Sequence, residues 1–178
     1  LYLGVFSQKK TLYLIPGQGS DYRIFKHFVF EEFDTAHIHY IVPDEDEDMR
    51  SYAERLSAQI DTSSRYSFIG VSLGGMLSVE MSEFLKPEEV IIISSAKNRN
   101  ELPLRYKFMR NLPLNRAFNG GFIQAAAPTA QLIVEADSYK ERELCVSMLN
   151  NKDETFMKRS VHMIINWERT GNTSKIIH

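Results

Sequence analysis

The sequence predicts an α/β fold, a mostly parallel sheet with helices on both faces, interrupted by a helical insertion. Three observations carry this expectation. Short β-rich runs alternate with helix-patterned runs from residue 11 to residue 95. The strongest of the runs, residues 89–95 (EVIIISS), is apolar without alternation, as a strand buried on both faces requires. From Pro103 to Trp167 the alternation stops and helix-capping patterns take over.

The elements follow in order. Residues 11–15 (TLYLI) read as the first strand, and PGQGSD after them as a turn. Residues 21–30 read as a helix capped by Ser20 or Asp21, and residues 37–42 (HIHYIV) as a strand ended by Pro43. Met49, Tyr52, Ala53, Leu56 and Ile60 recur at helical spacing behind Asp48, a good N-cap. Residues 66–70 (YSFIG) form the next strand. Leu77, Met81, Phe84 and Leu85 then line a helix stopped near Pro87. Within the insertion, residues 131–136 (QLIVEA) fit either a strand or a helix. Ser138 and Glu141 make a capping box for a helix through Leu149. Asn151 and Glu154 make a second, ahead of the apolar face Phe156, Met157, Val161, Ile164 and Ile165. Residues 175–178 (KIIH) resume the sheet. One domain is expected, with its core in residues 1–100 and 172–178 and a helical cap over about 101–171. The chain opens on Leu1 and stops on that last strand, so the expectation is a fold incomplete at its C-terminus.

Composition narrows the function classes. The chain has 178 residues, 43% of them hydrophobic, with 21 Lys and Arg against 23 Asp and Glu. That balance offers no basic excess for a nucleic-acid partner. No apolar run is long enough to span a bilayer and no signal-peptide pattern is visible. Cys145 is the single cysteine, so no internal disulfide is possible and a reducing, cytoplasmic setting is expected. Beside Leu144 and Met148 on a helix face, Cys145 reads as a buried core thiol rather than a nucleophile. The acidic run 44–48 reads as a solvated loop rather than a metal or partner site. No His, Asp or Glu spacing indicates a metal, and no cofactor is expected.

The chemistry concentrates at FIGVSLGGM. Gly70, Ser72 and Gly74 fit G-x-S-x-G, weak as a bare pattern but placed here between a strand and a helix. A nucleophile elbow needs that placement. Its serine sits on a sharp, strained turn that lifts the hydroxyl above the sheet edge, and strand and helix approach too closely for a Cβ at either glycine. Gly75 gives further room, and the helix N-terminus favours a developing anion. The competing reading is a helix cap whose glycines serve packing. A phosphate-binding loop fits less well, because the Lys-Ser/Thr pair of a P-loop is missing.

A second signal is Pro16-Gly17-Gln18-Gly19-Ser20-Asp21. A dinucleotide fingerprint would need a third glycine where Tyr22 stands. An oxyanion-hole loop fits better, because Ser72 follows after two more strands. Gln18 is then one backbone N–H donor and Leu73, the residue after the serine, the other.

With these residues in place the chain resembles the α/β-hydrolases over nearly its whole length. The resemblance rests on LIPGQG, GVSLGG, EVIIISSA and a helical block before the next strand. Pro16-Gly17 stands where His-Gly is more usual. The resemblance implies Ser72 as nucleophile, the Gln18 and Leu73 N–H groups as oxyanion hole, and the 103–167 helices as a lid. It also implies the order serine, acid, histidine. The acid is expected after the strand at 175–178 and the histidine later still, both beyond His178. Within the chain, His27, His37 and His39 precede the serine, and His162 lies in a helix. Glu101, Asp137 and His178 are weaker substitutes. Leu104, Tyr106, Leu112 and Phe118, with Phe108, Met109, Phe122 and Gly17, are candidates for an acyl pocket, although packing of the cap on the sheet explains each equally well. The expected partner is a small acyl substrate, an ester or thioester; the oligomeric state is not readable. Two rival classes remain: a non-catalytic binding protein on the same scaffold, and a nucleotide-binding α/β domain.

Overall fold

The structure, a computed structural model, describes residues 9–110, 139–170 and 176–177. Among the described residues, five strands form one all-parallel sheet in the order β2-β1-β3-β4-β5. They are β1 (Lys10–Ile15), β2 (Phe33–His37), β3 (Tyr66–Val71), β4 (Val90–Ile93) and β5 (Ile176–Ile177). Side chains alternate across the sheet. Tyr13, Ile15, Phe68, Val90 and Ile92 join the main core on one face, while Leu12, Leu14 and Ile69 join a second cluster on the other. Burial on both faces explains why β4 shows no polar alternation.

The main core is roofed by α1 (Met49–Ser57) and α2 (Leu73–Met81). Asp48 caps α1 by accepting from the Ser51 N–H at 2.7 Å, and Met49, Tyr52, Ala53 and Leu56 bury its apolar face. All nine residues of α2 are buried, so this helix has no solvent face. Each of its large side chains contributes about 1.5–3 kcal/mol by leaving water. The second face is covered, among the described residues, by Phe25 and the partly buried Ile24 and Phe30.

Between β4 and β5 lie α3 (Leu104–Met109), α4 (Tyr139–Asn150) and α5 (Glu154–Asn166). The α5 helix reaches into the main core through Phe156, Met157, Met163 and Ile164. Its far end is pinned beside α2: the Trp167 indole donates to the buried Glu80 carboxylate at 2.6 Å. Arg99 Nη1 donates to the Ile165 and Trp167 carbonyls, satisfying the helix C-terminus. The insertion is therefore fastened to the helix that follows the Gly70–Gly74 motif.

Four local expectations are corrected. The second strand is Phe33–His37, not residues 37–42: the chain leaves the sheet after His37, and Ile38 and Tyr40 turn into the main core instead. Residues 21–30 form only a four-residue 3-10 turn, Tyr22–Phe25, capped by Asp21. The α2 helix stops at Met81, leaving Phe84 and Leu85 in the following turn. Asp153, not Asn151, caps α5, accepting from the Phe156 N–H at 2.8 Å; residues 151 and 152 still close the end of α4. The 131–136 run and the Ser138 cap lie outside the described residues.

Candidate active site

Ser72 stands between the last residue of β3 and the first of α2, with φ 52° and ψ −116°. Left-handed φ is uncommon for a non-glycine residue and holds strain of about 1–3 kcal/mol. The bend leaves Ser72 exposed while Leu73 and all of α2 are buried. The hydroxyl makes no capping bond to its own helix, which removes the simple cap explanation. The Ser72 N–H is spent on the Ile93 carbonyl of β4 at 2.9 Å.

The flanking glycines are required by contact. A Cβ on Gly70 would fall within 3.0 Å of the Gly74 and Gly75 main chain. One on Gly74 would collide with the carbonyls of Ile15 and Pro16, where β1 enters the PGQG loop. The third, Gly75, faces the Ser95 side chain at the same closeness. None of these glycines has positive φ; among the described residues the left-handed ones are Asp46, Ser72 and Ser94.

The PGQG loop lies directly against the serine: a Cβ on Gly17 would sit 3.5 Å from Ser72 Cβ. Ser20 closes the loop, its Oγ accepting the Gly17 N–H at 2.9 Å while its own N–H reaches the Gly17 carbonyl at 3.1 Å. The Tyr40 hydroxyl donates to the Pro16 carbonyl, and burial pushes that phenol's pKa well up, so it stays neutral. Among the described residues, neither the Gln18 N–H nor the Leu73 N–H donates to a protein acceptor.

The loop is braced from the insertion. Gln18 Nε2 donates to the Met157 carbonyl at 3.1 Å and to Ser160 Oγ at 2.7 Å, both in α5. Arg23 binds Asp21 through paired contacts, and its hydrogen bonds hold the Asp21 carboxyl below the usual carboxylate range. The same guanidinium reaches Ser147 Oγ of α4 at 3.2 Å. Lys152 approaches the rings of Tyr40 and Phe156 at 5.9 Å, and burial lowers its ammonium pKa.

The remaining candidates are placed as follows. Phe108 and Met109 lie on α3, Leu104 at its start is exposed, and Tyr106 packs against the main core. Leu112, Phe118, Phe122, Asp137 and His178 lie outside the described residues. His27 is exposed, 3.7 Å from Glu141. His37 ends β2 beside the rings of Tyr22 and Phe25; burial and then His39 lower its pKa, and its Nδ1 is enclosed without a partner. The exposed His39 bonds the Gln59 side-chain amide through its own backbone N–H and carbonyl, and His162 sits half-buried in α5. Among the described residues no histidine is hydrogen-bonded to Ser72. Glu101 is engaged locally, accepting the Lys97 N–H at 2.8 Å. In the acidic run, Asp44 and Glu47 both bind Arg55. Cys145 is half-buried, not enclosed in the core as expected. No group of three metal-ligating side chains occurs among the described residues. No described helix is long and apolar enough to cross a membrane.

Sequence reasoning missed three participants. Ser160 and Tyr40 brace the loop from distant elements and leave no local signal. Ser95 donates to the Ser72 carbonyl at 2.6 Å. Its trace in the sequence is the paired Gly74-Gly75, one glycine more than the elbow needs.

A parallel sheet, a serine on a left-handed strand-to-helix bend and a helical block before the last strand define an α/β-hydrolase fold. Solved structures agree. The chain resembles a hydrolase from Pseudomonas aeruginosa PA01 with 15% identity and a TM-score of 0.63, covering 91% of this chain and 66% of that one. It resembles Est816, described as an N-acyl homoserine lactone degrading enzyme, with 17% identity and a TM-score of 0.65, covering 91% and 69%. The enol-lactonase from Burkholderia xenovorans LB400 matches with 16% identity and a TM-score of 0.63, covering 90% and 66%. At these identities the likeness is one of fold, and the chain spans about two thirds of the length of these relatives. More particularly, the chain belongs to the family described as Uncharacterised protein family (UPF0227), whose model matches residues 25–169. No curated protein sequence matches it.

Proposed function

We propose that the protein is a serine hydrolase acting on a small ester, thioester or related acyl compound. The observation that carries this reading is Ser72: an exposed hydroxyl on a left-handed bend, with two uncommitted N–H groups nearby. Ser72 Oγ attacks the substrate carbonyl as a base removes its proton. The N–H groups of Gln18 and Leu73 hold the oxygen as it becomes negative. Collapse expels the alcohol or thiol and leaves an acyl group on Ser72, which water then removes. One such donor is worth about 10²–10³ in rate, because it is fixed in place before charge develops. The base and its orienting acid are assigned to residues outside those described.

Two of the similar structures carry descriptions naming lactones, which are cyclic esters, and this supports carbonyl attack. The nucleotide reading loses ground because PGQG leads into a four-residue 3-10 turn, not a helix whose N-terminus would receive a pyrophosphate.

The test is covalent. The full-length protein is treated with a fluorophosphonate probe and the labelled peptide mapped. Labelling at Ser72 that vanishes in Ser72→Ala is expected. A folded protein that stays unlabelled is a binding protein on this scaffold.

A further inference from the structure

We infer that Ser95 is a positioning residue for the oxyanion hole, acting through the Ser72–Leu73 peptide group. This rests on the acyl-transfer reading of Ser72. The carbonyl of Ser72 and the N–H of Leu73 are the two ends of one planar amide. Whatever fixes the carbonyl fixes the direction of the N–H.

That carbonyl oxygen accepts from three donors. Two are the Gly75 and Met76 N–H groups of the first turn of α2, at 3.0 and 3.2 Å. The third and shortest is the Ser95 hydroxyl at 2.6 Å, which comes from the turn after β4. Ser72 has left-handed φ, and rotation of the following peptide would relieve strain while turning the Leu73 N–H away. The Ser95 bond opposes that rotation. It also draws electron density toward the carbonyl, which makes the N–H at the other end a better donor, since hydrogen bonds in series strengthen one another.

The surroundings are shaped to admit this hydroxyl. Ser94, the residue after β4, is itself left-handed, at φ 47°, and the bend brings Ser95 back over the elbow. Ser95 then fills the space where Gly75 lacks a side chain, since a Cβ there would meet both Ser95 Oγ and Cβ within 3.0 Å. The second glycine of GVSLGG thus has a physical reason that the elbow alone does not supply.

Two readouts on the full-length protein test this. The first needs no catalysis: in amide spectra of leucine-labelled protein, the Leu73 proton should move upfield in Ser95→Ala. The second is kinetic, with p-nitrophenyl acetate as the ester. Ser95→Ala should lower kcat about fivefold with KM unchanged, less than deletion of a donor outright because the N–H remains. Ser95→Cys keeps the size but is a weaker donor, so it should fall between, and it serves if the alanine variant misfolds. An unshifted Leu73 amide overturns the inference whatever Ser72 does. A lowered melting temperature with kcat unchanged reduces Ser95 to a structural role and overturns it too. Wild-type protein inert at Ser72 overturns the acyl reading and the catalytic consequence with it, while the amide shift separately reads the bond itself.

Discussion

Two glycine-bearing loops meet at the carboxyl edge of this sheet, and they are held in opposite ways. The 70–75 elbow is made rigid by its own backbone. Gly70 and Gly74 sit where any Cβ would meet main-chain atoms within 3.0 Å, and Ser72 carries the strain. The PGQG loop has no such crowding. A Cβ on Gly17 or Gly19 would meet its nearest neighbours no closer than 3.2 Å, side-chain atoms in both cases. What fixes this loop is the set of polar contacts that Gln18 and Arg23 make with α5 and α4. One loop is defined by steric exclusion and the other by borrowed hydrogen bonds. Substitutions should separate them.

The largest effect is expected at the elbow. In Gly74→Ala the new methyl drives into the Ile15 and Pro16 carbonyls, and in Gly70→Ala into the main chain of Gly74 and Gly75. Neither obstacle is a flexible side chain, so strand and helix must part. A loss of about 3 kcal/mol or more is expected for each. That is a large share of a typical 5–15 kcal/mol and corresponds to a fall in Tm of about 6–12 °C. Calorimetry on both variants measures it. A loss below about 1 kcal/mol would show that the elbow yields, and the contrast between the loops would collapse.

Gln18→Ala comes next. It removes two donor contacts to α5 without touching the backbone N–H assigned to the oxyanion. Ser160 Oγ keeps its own bond to the Met157 carbonyl, so no buried group is stranded. Stability should fall by about 1–2 kcal/mol. The sharper readout is rate: a loop freed from its brace aims its N–H less well, so labelling of Ser72 should slow while the elbow stays intact. Equal labelling rates at equal probe concentration would show that the loop is fixed by Ser20 and Tyr40 alone.

The same contrast explains what could be read in advance. The elbow was legible because its demands are local: strand, glycine, serine and glycine within five positions, followed by an apolar helix. Asp48 and the Met49–Leu56 spacing were legible for the same reason. The misplaced strand shows the limit. HIHYIV has stronger β character than FDTAH, yet pairing runs from Lys10 opposite Phe33 to Leu14 opposite His37, and Ile38 and Tyr40 gain more by burial in the core. Gln18 on Ser160 and Ser95 on Ser72 join positions 142 and 23 residues apart, and no local pattern announces them. The glycines of PGQG play a different part from those of the elbow. None has positive φ, and the loop owes its shape to the Ser20 turn and the distant brace.

The smallest effects are therefore expected at those two loop glycines. Among the described residues, a Cβ on Gly19 meets only Leu149 Cδ1 at 3.2 Å, the far end of a flexible side chain, so Gly19→Ala should change stability by less than about 0.5 kcal/mol. A Cβ on Gly17 approaches Ser20 Oγ at 3.2 Å and Ser72 Cβ and the Val71 carbonyl at 3.5 Å, an ordinary fit apart from the hydroxyl. Its cost in stability should stay below about 1 kcal/mol, but its methyl would occupy space beside the Ser72 side chain. The two alanine variants should thus be nearly alike in Tm and unlike in reactivity: Gly17→Ala slows probe labelling and Gly19→Ala does not. Equal slowing in both would mean that the loop acts on Ser72 as one rigid body rather than through the residue that touches it.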